Sequence, residues 1–389
     1  MQSWRMGLAL LVVGGVCVAG VGRAAAEDKS KPADKAKPDP DVVIFTNGDQ
    51  LSGTLERGVG DNIVFKSDMA GELTIPLAKV KELRSTGSFA VLRKSRPVSR
   101  AGVETGTLAE RNGDMVIAYP TRPPETVPVK DVAYVIDQAT YDRELQKLPG
   151  FRYGWNGTVT AGASFVRSTN NGSTFNGAMS LVRAIPTVPW LPARNRTTLN
   201  VAETYGQMSE PVIPPTTPPT PDTVVKTSIF HADAERDEYF TQRGYGLVQT
   251  AFDHNFAQGL QLAQNYGGGL GWTLVKQPKQ QLDVKGDLHY LKQQFQTQAS
   301  NQNLIGSTLA EVYVRKLPRK MIFNENASLI PAWNNTSAYA ANVNGTFRLP
   351  VFKRFSFSVS AADSFLNDPA VYYKKNSLVL TTGLTYALK

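Results

Sequence analysis

The sequence contains 389 residues with a formal net charge of +9; 41% of them are hydrophobic and 19% are charged. This length allows two or three domains with a sizeable core, and the composition is that of a globular or an outer-membrane protein. Beyond the first 26 residues no stretch approaches eighteen consecutive apolar residues, which argues against a transmembrane helix there.

The first 26 residues have the three parts of a secretory signal peptide. Arg5 precedes a long apolar run, and small residues lead to a cleavage site after Ala26. The alternative is a retained membrane anchor. Cleavage at this site would remove Cys17, the only cysteine, so disulfide and thiol chemistry would be excluded. An exported chain without cysteine suits a bacterial cell envelope.

Residues 27–40 alternate charged residues with proline and alanine and contain no large apolar side chain. Such a segment cannot offset the entropy of ordering, so we predict a disordered linker. The positive net charge is compatible with anionic outer-membrane lipid and lipopolysaccharide as partners, although an unpatterned excess of solubilising lysines is the simpler explanation.

Residues 41–137 contain an internal duplication. Each copy has the motif Gly-Thr-Leu, a glycine seven residues after its first glycine and a glutamate nineteen residues after it: Gly53, Gly60 and Glu72, then Gly106, Gly113 and Glu125. Short β-rich runs and the motif Asn-Gly-Asp at 47–49 predict small bent antiparallel sheets. With Gly-Asp-x-Leu-x-Gly at 48–53, the region resembles SH3-like or Sm-like small β-barrels.

Modules of this kind bind peptides, nucleic acids or proteins, and the fold alone does not choose among them. No basic stripe interleaved with aromatic residues is present, so we expect a periplasmic protein partner and no nucleic acid. The basic cluster Arg93, Lys94, Arg96 and Arg100 is interpreted as a solvated connector. Residues 138–150 form a second connector, with a short helix that Pro149 and Gly150 end.

Residues 151–389 repeat a period-two pattern that predicts β-strands. In the hairpin from Leu260 to Tyr290 the even positions are apolar and the odd positions are polar or glycine. About twelve such strands follow one another, and short connections alternate with longer polar ones, which is typical of a transmembrane β-barrel with an apolar lipid face and a polar lumen. An even strand number places both ends of the barrel in the periplasm. The alternative is a soluble periplasmic or surface β-sandwich that binds a ligand.

Several motifs in this region carry a family resemblance. Their order is Arg-Asp-Glu-Tyr-Phe-Thr-Gln-Arg at 236–243, Phe-Asp-His at 252–254, Gln-Gly-Leu at 258–260 and Gly-Gly-Leu-Gly-Trp at 268–272. From about Gly150 to Lys389 the chain resembles the family of domain of unknown function 481, whose members are often labelled salt-induced outer membrane proteins. The resemblance implies a Gram-negative outer-membrane barrel without established enzymatic activity, in contact with lipid, lipopolysaccharide and the barrel insertion machinery.

One polar strip stands out within the predicted barrel and consists of His231, Asp233, Glu235 and Asp237. Phe230, Ala232 and Ala234 occupy the opposite face of the strand, so the four polar side chains are expected to face the lumen together. Carboxylates at this spacing could hold a calcium-like cation or form a selectivity strip. The alternative is an ordinary polar lumen in which basic residues such as Lys285, Lys292 or Arg315 pair with them. Alternate strand residues lie almost 7 Å apart and rarely converge on one ion, which favours this alternative.

No catalytic, cofactor-binding or metal-binding motif is recognised in the chain. The glycine run at 267–271 lies in a predicted strand and is not followed by a helix, so it is interpreted as a site of curvature or close packing. The sequence therefore predicts an outer-membrane β-barrel with a structural or passive pore role and no enzymatic activity. A membrane hydrolase is the less favoured alternative.

Overall fold

The computed structural model describes residues 40–94, 102–147, 149–167, 171–210, 221 and 223–388. The predicted signal peptide, residues 27–39 of the predicted linker, and Arg96 and Arg100 of the basic cluster lie outside these residues, as does the proline-rich segment 211–220. None of the helices in the described ranges has the length and apolar character that a membrane span needs.

The first part of the described chain is a nine-stranded antiparallel sheet. Its strands are β1 (Asp41–Phe45), β2 (Gln50–Val59), β3 (Asn62–Ser67), β4 (Gly71–Pro76), β5 (Val80–Arg93), β6 (Gly106–Arg111), β7 (Asp114–Ala118), β8 (Glu125–Pro128) and β9 (Val132–Asp137). The order is β4-β3-β2-β1-β5-β6-β7-β8, and β9 pairs with both β2 and β5. Because β1 also pairs with β2 and β5, these four strands close a small ring.

The duplication is visible in the order of the elements. In each copy a strand that contains the Gly-Thr-Leu motif is followed by two short strands, a 3-10 turn and a further strand. A Cβ atom on Gly53 would lie 2.1 Å from the carbonyl oxygen of Lys66, and one on Gly106 would lie 2.5 Å from that of Ala118. The first glycine of both copies is therefore required by the same close approach of strands.

The two copies share one long strand and one core. Residues 80–84 of β5 pair with β1, residues 82–84 and 88–89 pair with β6, and residues 89–93 pair with β9. As a result the copies merge into a single sheet and do not form two independent small barrels. The common core contains Val43, Leu55, Ile63, Phe65, Leu83, Phe89, Leu108, Met115, Ile117, Val127, Val132 and Val135.

A short helical connector leads from this sheet to the second part of the chain. The helix α1 (Gln138–Tyr141) continues as a π-helical turn over Asp142–Gln146, and the side chain of Asp137 accepts a hydrogen bond from Thr140 N at 2.9 Å. Glu144 is buried and accepts hydrogen bonds from Thr187 N at 2.8 Å and Thr187 Oγ1 at 2.9 Å. The predicted helix is present, and Glu144 attaches its end to Thr187 in the segment 186–194.

The remaining strands form a closed antiparallel barrel, each paired with its sequence neighbours, and β10 pairs with β21. The prediction of about twelve barrel strands is confirmed. They are β10 (Trp155–Arg167), β11 (Asn171–Ile185), β12 (Asn195–Glu210), β13 (Thr223–Tyr239), β14 (Gly244–Asn255), β15 (Leu260–Gln277), β16 (Gln280–Phe295), β17 (Gln302–Lys316), β18 (Ile322–Ile330), β19 (Ala340–Phe352), β20 (Phe355–Leu366) and β21 (Asn376–Leu388).

The outward face of the barrel is apolar all the way round. Alternate residues point outward along each strand, and every strand contributes an apolar side chain of which 37% or more is exposed. One from each strand, in chain order, is Val159, Phe175, Val201, Val224, Val248, Tyr266, Leu288, Leu309, Leu329, Val343, Phe357 and Leu380. The even face of the hairpin from Leu260 to Tyr290 is part of this surface, as the period-two pattern predicts, except at Leu260, which is buried and lies before a register shift in β15.

The connections differ between the two ends of the barrel. At the end where β10 begins, which we call the lower end, four of the five connections are short: 240–243, 278–279, 317–321 and 353–354. The fifth, 186–194, is longer because it packs against the first sheet and the connector, with Leu191 buried beside Ala90, Ile136 and Tyr141. At the opposite, upper end the connections include the longer segments 331–339 and 367–375.

Candidate functional site

An ion pair between two strands that are not neighbours shows which face of the strands points into the lumen. Arg196 on β12 donates from Nη1 to Asp283 Oδ2 on β16 at 2.9 Å, and from Nε to Asp237 Oδ2 on β13 at 2.7 Å. Three strands separate β12 from β16, so these side chains meet inside the barrel. The carboxylates of Asp237 and Asp283 are almost fully buried.

A second contact crosses the lumen beside the first. Lys285 Nζ on β16 donates to Glu235 Oε2 on β13. Lys285 was one of three basic residues expected to pair with the polar strip. Of the other two, Lys292 lies opposite Gln264 and Asn303, and Arg315 lies opposite Gln280 and Phe323, both on the outward phase of their strands.

His231 lies between two carboxylates. Its Nδ1 is 2.6 Å from Asp253 Oδ1 and its Nε2 is 2.9 Å from Asp233 Oδ1. Asn200 on β12 donates from Nδ2 to Asp233 Oδ2 at 3.0 Å. The four residues of the predicted strip, including Glu235 and Asp237, thus share the lumen face of β13, but each is held by its own partners and they do not converge on one point. In the described ranges no group of three or more His, Cys, Asp or Glu is placed to hold a metal ion.

A further cluster on β16 was not singled out from the sequence. His289 Nδ1 lies 2.7 Å from Asp287 Oδ1, Thr308 N donates to the same oxygen at 3.1 Å, and Gln249 Nε2 donates to Asp287 Oδ2. The polar phase of positions 283–289 is visible in the sequence. Its partners are not, because they lie on β14 and β17.

Two tyrosines pack beside Arg196 at the lower end of the lumen. The rings of Tyr239 and Tyr245 are 5.1 Å apart, and the guanidinium carbon of Arg196 is 5.3 Å from the centre of the Tyr245 ring. A Cβ atom on Gly271 would lie 2.2 Å from Cζ of Tyr245. The glycine run therefore serves close packing, because Tyr245 lies directly over β15 where a side chain would otherwise stand.

The charged and the hydroxyl-bearing residues occupy different walls. Among the buried and half-buried side chains of the described residues, six carboxylates face the lumen from β13, β14 and β16, against three permanently basic groups. The carboxylates are Asp233, Glu235, Asp237, Asp253, Asp283 and Asp287, and the basic groups are Arg196, Lys285 and Arg348. The wall formed by β10, β20 and β21 carries hydroxyls instead. Thr385 Oγ1 lies 2.7 Å from Thr160 Oγ1 and 3.0 Å from Ser358 Oγ. Even if His231 and His289 were both protonated, these carboxylates would outnumber the cations, so the electrostatic potential inside the lumen is negative.

The upper mouth is covered by its own connections. Gln258, in the connection between β14 and β15, donates from Nε2 to Ser364 O at 3.0 Å and to Lys375 O at 2.8 Å, on the opposite side of the barrel. Tyr373 donates to Gln296 Oε1 at 2.6 Å. An apolar cluster lies beneath these bonds and consists of Leu260, Ala263, Leu291, Phe295, Leu304, Ala332, Ala338, Leu366 and Ala370. We call this arrangement the upper closure.

The barrel matches a known family model. Residues 159–388 match the family described as protein of unknown function, DUF481. The chain belongs to this family. The DUF481 match runs from β10 to β21 and so includes every strand that lines the lumen, whereas the nine-stranded sheet lies outside it.

Two solved structures are similar to this DUF481 protein at low identity. The translocator domain of the autotransporter NalP from Neisseria meningitidis is 12% identical, with a TM-score of 0.29, and the match covers 60% of this chain and 87% of that one. The beta domain of the Bordetella autotransporter BrkA is 9% identical, with a TM-score of 0.27, and the match covers 60% of this chain and 97% of that one. No curated protein matches the chain.

Proposed function

We propose that this DUF481 protein is an outer-membrane β-barrel with a structural or passive role in the cell envelope. The observation that carries the proposal is the outward face, which is apolar on all twelve strands of a closed barrel around a polar lumen. Outer-membrane barrels have this arrangement because lipid meets the outward residues and water or protein meets the inward ones. A soluble β-sandwich would bury its apolar faces between two sheets, which a closed single barrel does not do.

The connections support an orientation. Outer-membrane barrels place short turns in the periplasm and longer loops outside the cell. By this rule the lower end, with its turns at 278–279 and 353–354, faces the periplasm. The nine-stranded sheet precedes β10 at the same end, so we assign it to the periplasm, where a protein partner would reach it. Outer-membrane lipid, lipopolysaccharide and the barrel insertion machinery are the other proposed partners.

We further propose that the lumen is a narrow pore that is shut in this conformation. Arg196 and Lys285 narrow the lumen at its lower half, and the upper closure, which Gln258 spans, shuts it. The excess of lumen carboxylates favours cations over anions once the upper closure opens. The titratable groups of the lumen are bonded to one another, which favours a passive role over catalysis.

Fractionation of a Gram-negative host that expresses the full chain tests the membrane proposal. We expect the protein in the outer-membrane fraction, with faster migration on a gel before boiling than after it. Recovery as a soluble periplasmic protein with no such shift would contradict the proposal. Recordings in planar bilayers then test the pore: we expect little steady current from the wild type and a cation-preferring current from Gln258→Ala. The absence of current from both proteins would contradict the pore and leave only the structural role.

A further inference from the structure

A cavity of about 500 Å³ lies at the lower rim of the barrel, on its outward side. It does not belong to the lumen. Its walls include Phe151 from the segment before β10, and Arg183, Ile185, Arg194, Arg236 and Glu238 from β11, β13 and the connection between β11 and β12. Three guanidinium groups and one carboxylate thus share one small space.

Strand alternation places two of the arginines on the outward face. Arg183 is in phase with Met179, which is 37% exposed on that face. Arg236 donates from Nη1 to the outward Thr197 Oγ1 at 2.8 Å. Both arginines lie within three residues of the lower end of their strands.

The cavity carries a net positive charge. Glu238 Oε1 accepts from Arg236 at 2.7 Å and offsets one charge. Arg183 is only 5% exposed, and it donates to the carbonyl oxygens of Pro149, Gly150 and Tyr153. These acceptors are neutral, so they fix the guanidinium in place without cancelling its charge, and among the described residues no carboxylate forms a salt bridge with it. Arg183, Arg236 and Glu238 together therefore carry a charge of +1.

Aromatic side chains surround the cavity at the same level. Phe151 is 72% exposed and Tyr153 is 71% exposed, and Trp155 Nε1 donates to Phe151 O at 2.7 Å. Exposed aromatic residues at the end of an apolar barrel wall are typical of the depth at which lipid headgroups lie. The cavity therefore combines positive charge with a position at the membrane interface.

We propose that this cavity binds the phosphate of a phospholipid headgroup in the periplasmic leaflet. The Nε and Nη2 groups of both guanidinium groups are already bonded, those of Arg183 to carbonyl oxygens and those of Arg236 to Glu238. Phosphate oxygens would therefore accept charge-assisted hydrogen bonds from Nη1 of Arg183 and from the second Nη1 hydrogen of Arg236. The acyl chains of such a lipid would lie along the apolar outward face above the cavity. The proposal rests on the membrane orientation proposed above, and it names the lipid that this orientation would place beside Arg183 and Arg236.

Native mass spectrometry of the folded full chain in a non-ionic detergent tests the site. We expect the wild type to retain phosphatidylglycerol and not a diacylglycerol with the same acyl chains. Arg236→Gln is expected to lower retention about tenfold, the effect of one charge-assisted hydrogen bond. Glu238→Gln is expected to raise retention, which a damaged fold would not do.

Arg354→Gln is the matched control, because it removes the same charge from an exposed turn at the same end of the barrel, and we expect it to retain lipid like the wild type. Equal retention by all variants would overturn the inference. Arg236-dependent binding of inorganic phosphate without retention of phosphatidylglycerol would overturn the lipid as its source. The gel shift on boiling is recorded on the same samples, so a loss of the barrel itself is seen separately.

Discussion

Arg196 on β12 and Asp283 on β16 form an ion pair at 2.9 Å across the lumen of the barrel. The same guanidinium holds Asp237 on β13 at 2.7 Å. Antiparallel barrels are otherwise held together by bonds between neighbouring strands. This pair instead joins β12 to β16, which are separated by three strands. It therefore narrows the lumen and links two parts of the barrel wall.

Removal of Arg196 is expected to destabilise the barrel. Arg196→Gln leaves two buried carboxylates without their cation, and breaking a buried ion pair in this way typically costs about 3–5 kcal/mol. Denaturant unfolding of the purified barrel, followed by tryptophan fluorescence, measures the loss. Arg243→Gln makes the same change in an exposed turn of the barrel and is expected to stay within about 0.5 kcal/mol of wild type. Equal stability of both variants would mean that the ion pair does not stabilise the barrel.

A charge on the outward face should be costly only if that face meets lipid. Leu288 is 60% exposed near the middle of β16. In a bilayer, Leu288→Arg is expected to lower the free energy of unfolding by about 2–4 kcal/mol, as arginine does at the midplane of outer-membrane barrels. Met69→Arg is the control, since Met69 is 98% exposed on the nine-stranded sheet and we place it in water. If both substitutions were neutral after reconstitution in bilayers, the lipid-facing assignment would be wrong.

Loss of the Gln258 side chain is expected to loosen the upper closure. Gln258→Ala removes a local hydrogen bond from Asn255 and the two hydrogen bonds that cross the mouth. Each of the two crossing bonds has a net contribution of about 1 kcal/mol, so their loss corresponds to roughly 30-fold more open molecules. The readout is maleimide labelling of a cysteine introduced by Thr308→Cys, a buried lumen position. Gln242→Ala, in an exposed turn at the lower end, should leave the labelling rate unchanged. Equal rates in all three backgrounds would show that the closure does not control access.

The local pattern of the sequence predicts the strands and their faces but not the contacts across the lumen. His231 and Asp237 fall in phase with each other, and alternation alone places them on one face. Which residues become their partners, here Asp253 and Arg196, depends on the number, stagger and tilt of the strands, and the sequence of a single strand does not determine these. For a similar reason the spacing of Gly53 and Gly106 reveals a duplication, whereas the sharing of β5 by the two copies is a tertiary property.

Acid is expected to weaken the nine-stranded sheet through Glu82. Hydrogen bonds from Arg84 and Arg111 lower the pKa of Glu82 to about 2, from 4.5 in an unfolded chain. A group with a lowered folded pKa stabilises the fold above its unfolded pKa, and this contribution is lost as the pH falls from about 4.5 towards 2. Amide hydrogen exchange of β6 in the full chain measures the effect. Protection should fall less in Glu82→Gln than in wild type over this range, and parallel losses would contradict the assignment.

Glu110 is expected to change the stability of the nine-stranded sheet with pH in the opposite direction. It is 1% exposed, and burial raises the pKa of its carboxyl while a hydrogen bond from the backbone of Gly113 opposes the shift. Because the folded form holds the proton more tightly than the unfolded chain, stability is highest in acid and is lost as the pH rises through the folded pKa. Glu110→Gln keeps the shape without the charge, so its β6 amides should exchange more slowly than those of wild type at pH 7 and at the wild-type rate in acid. Faster exchange of the variant at pH 7 would mean that the carboxylate stabilises the sheet through its bond to Gly113.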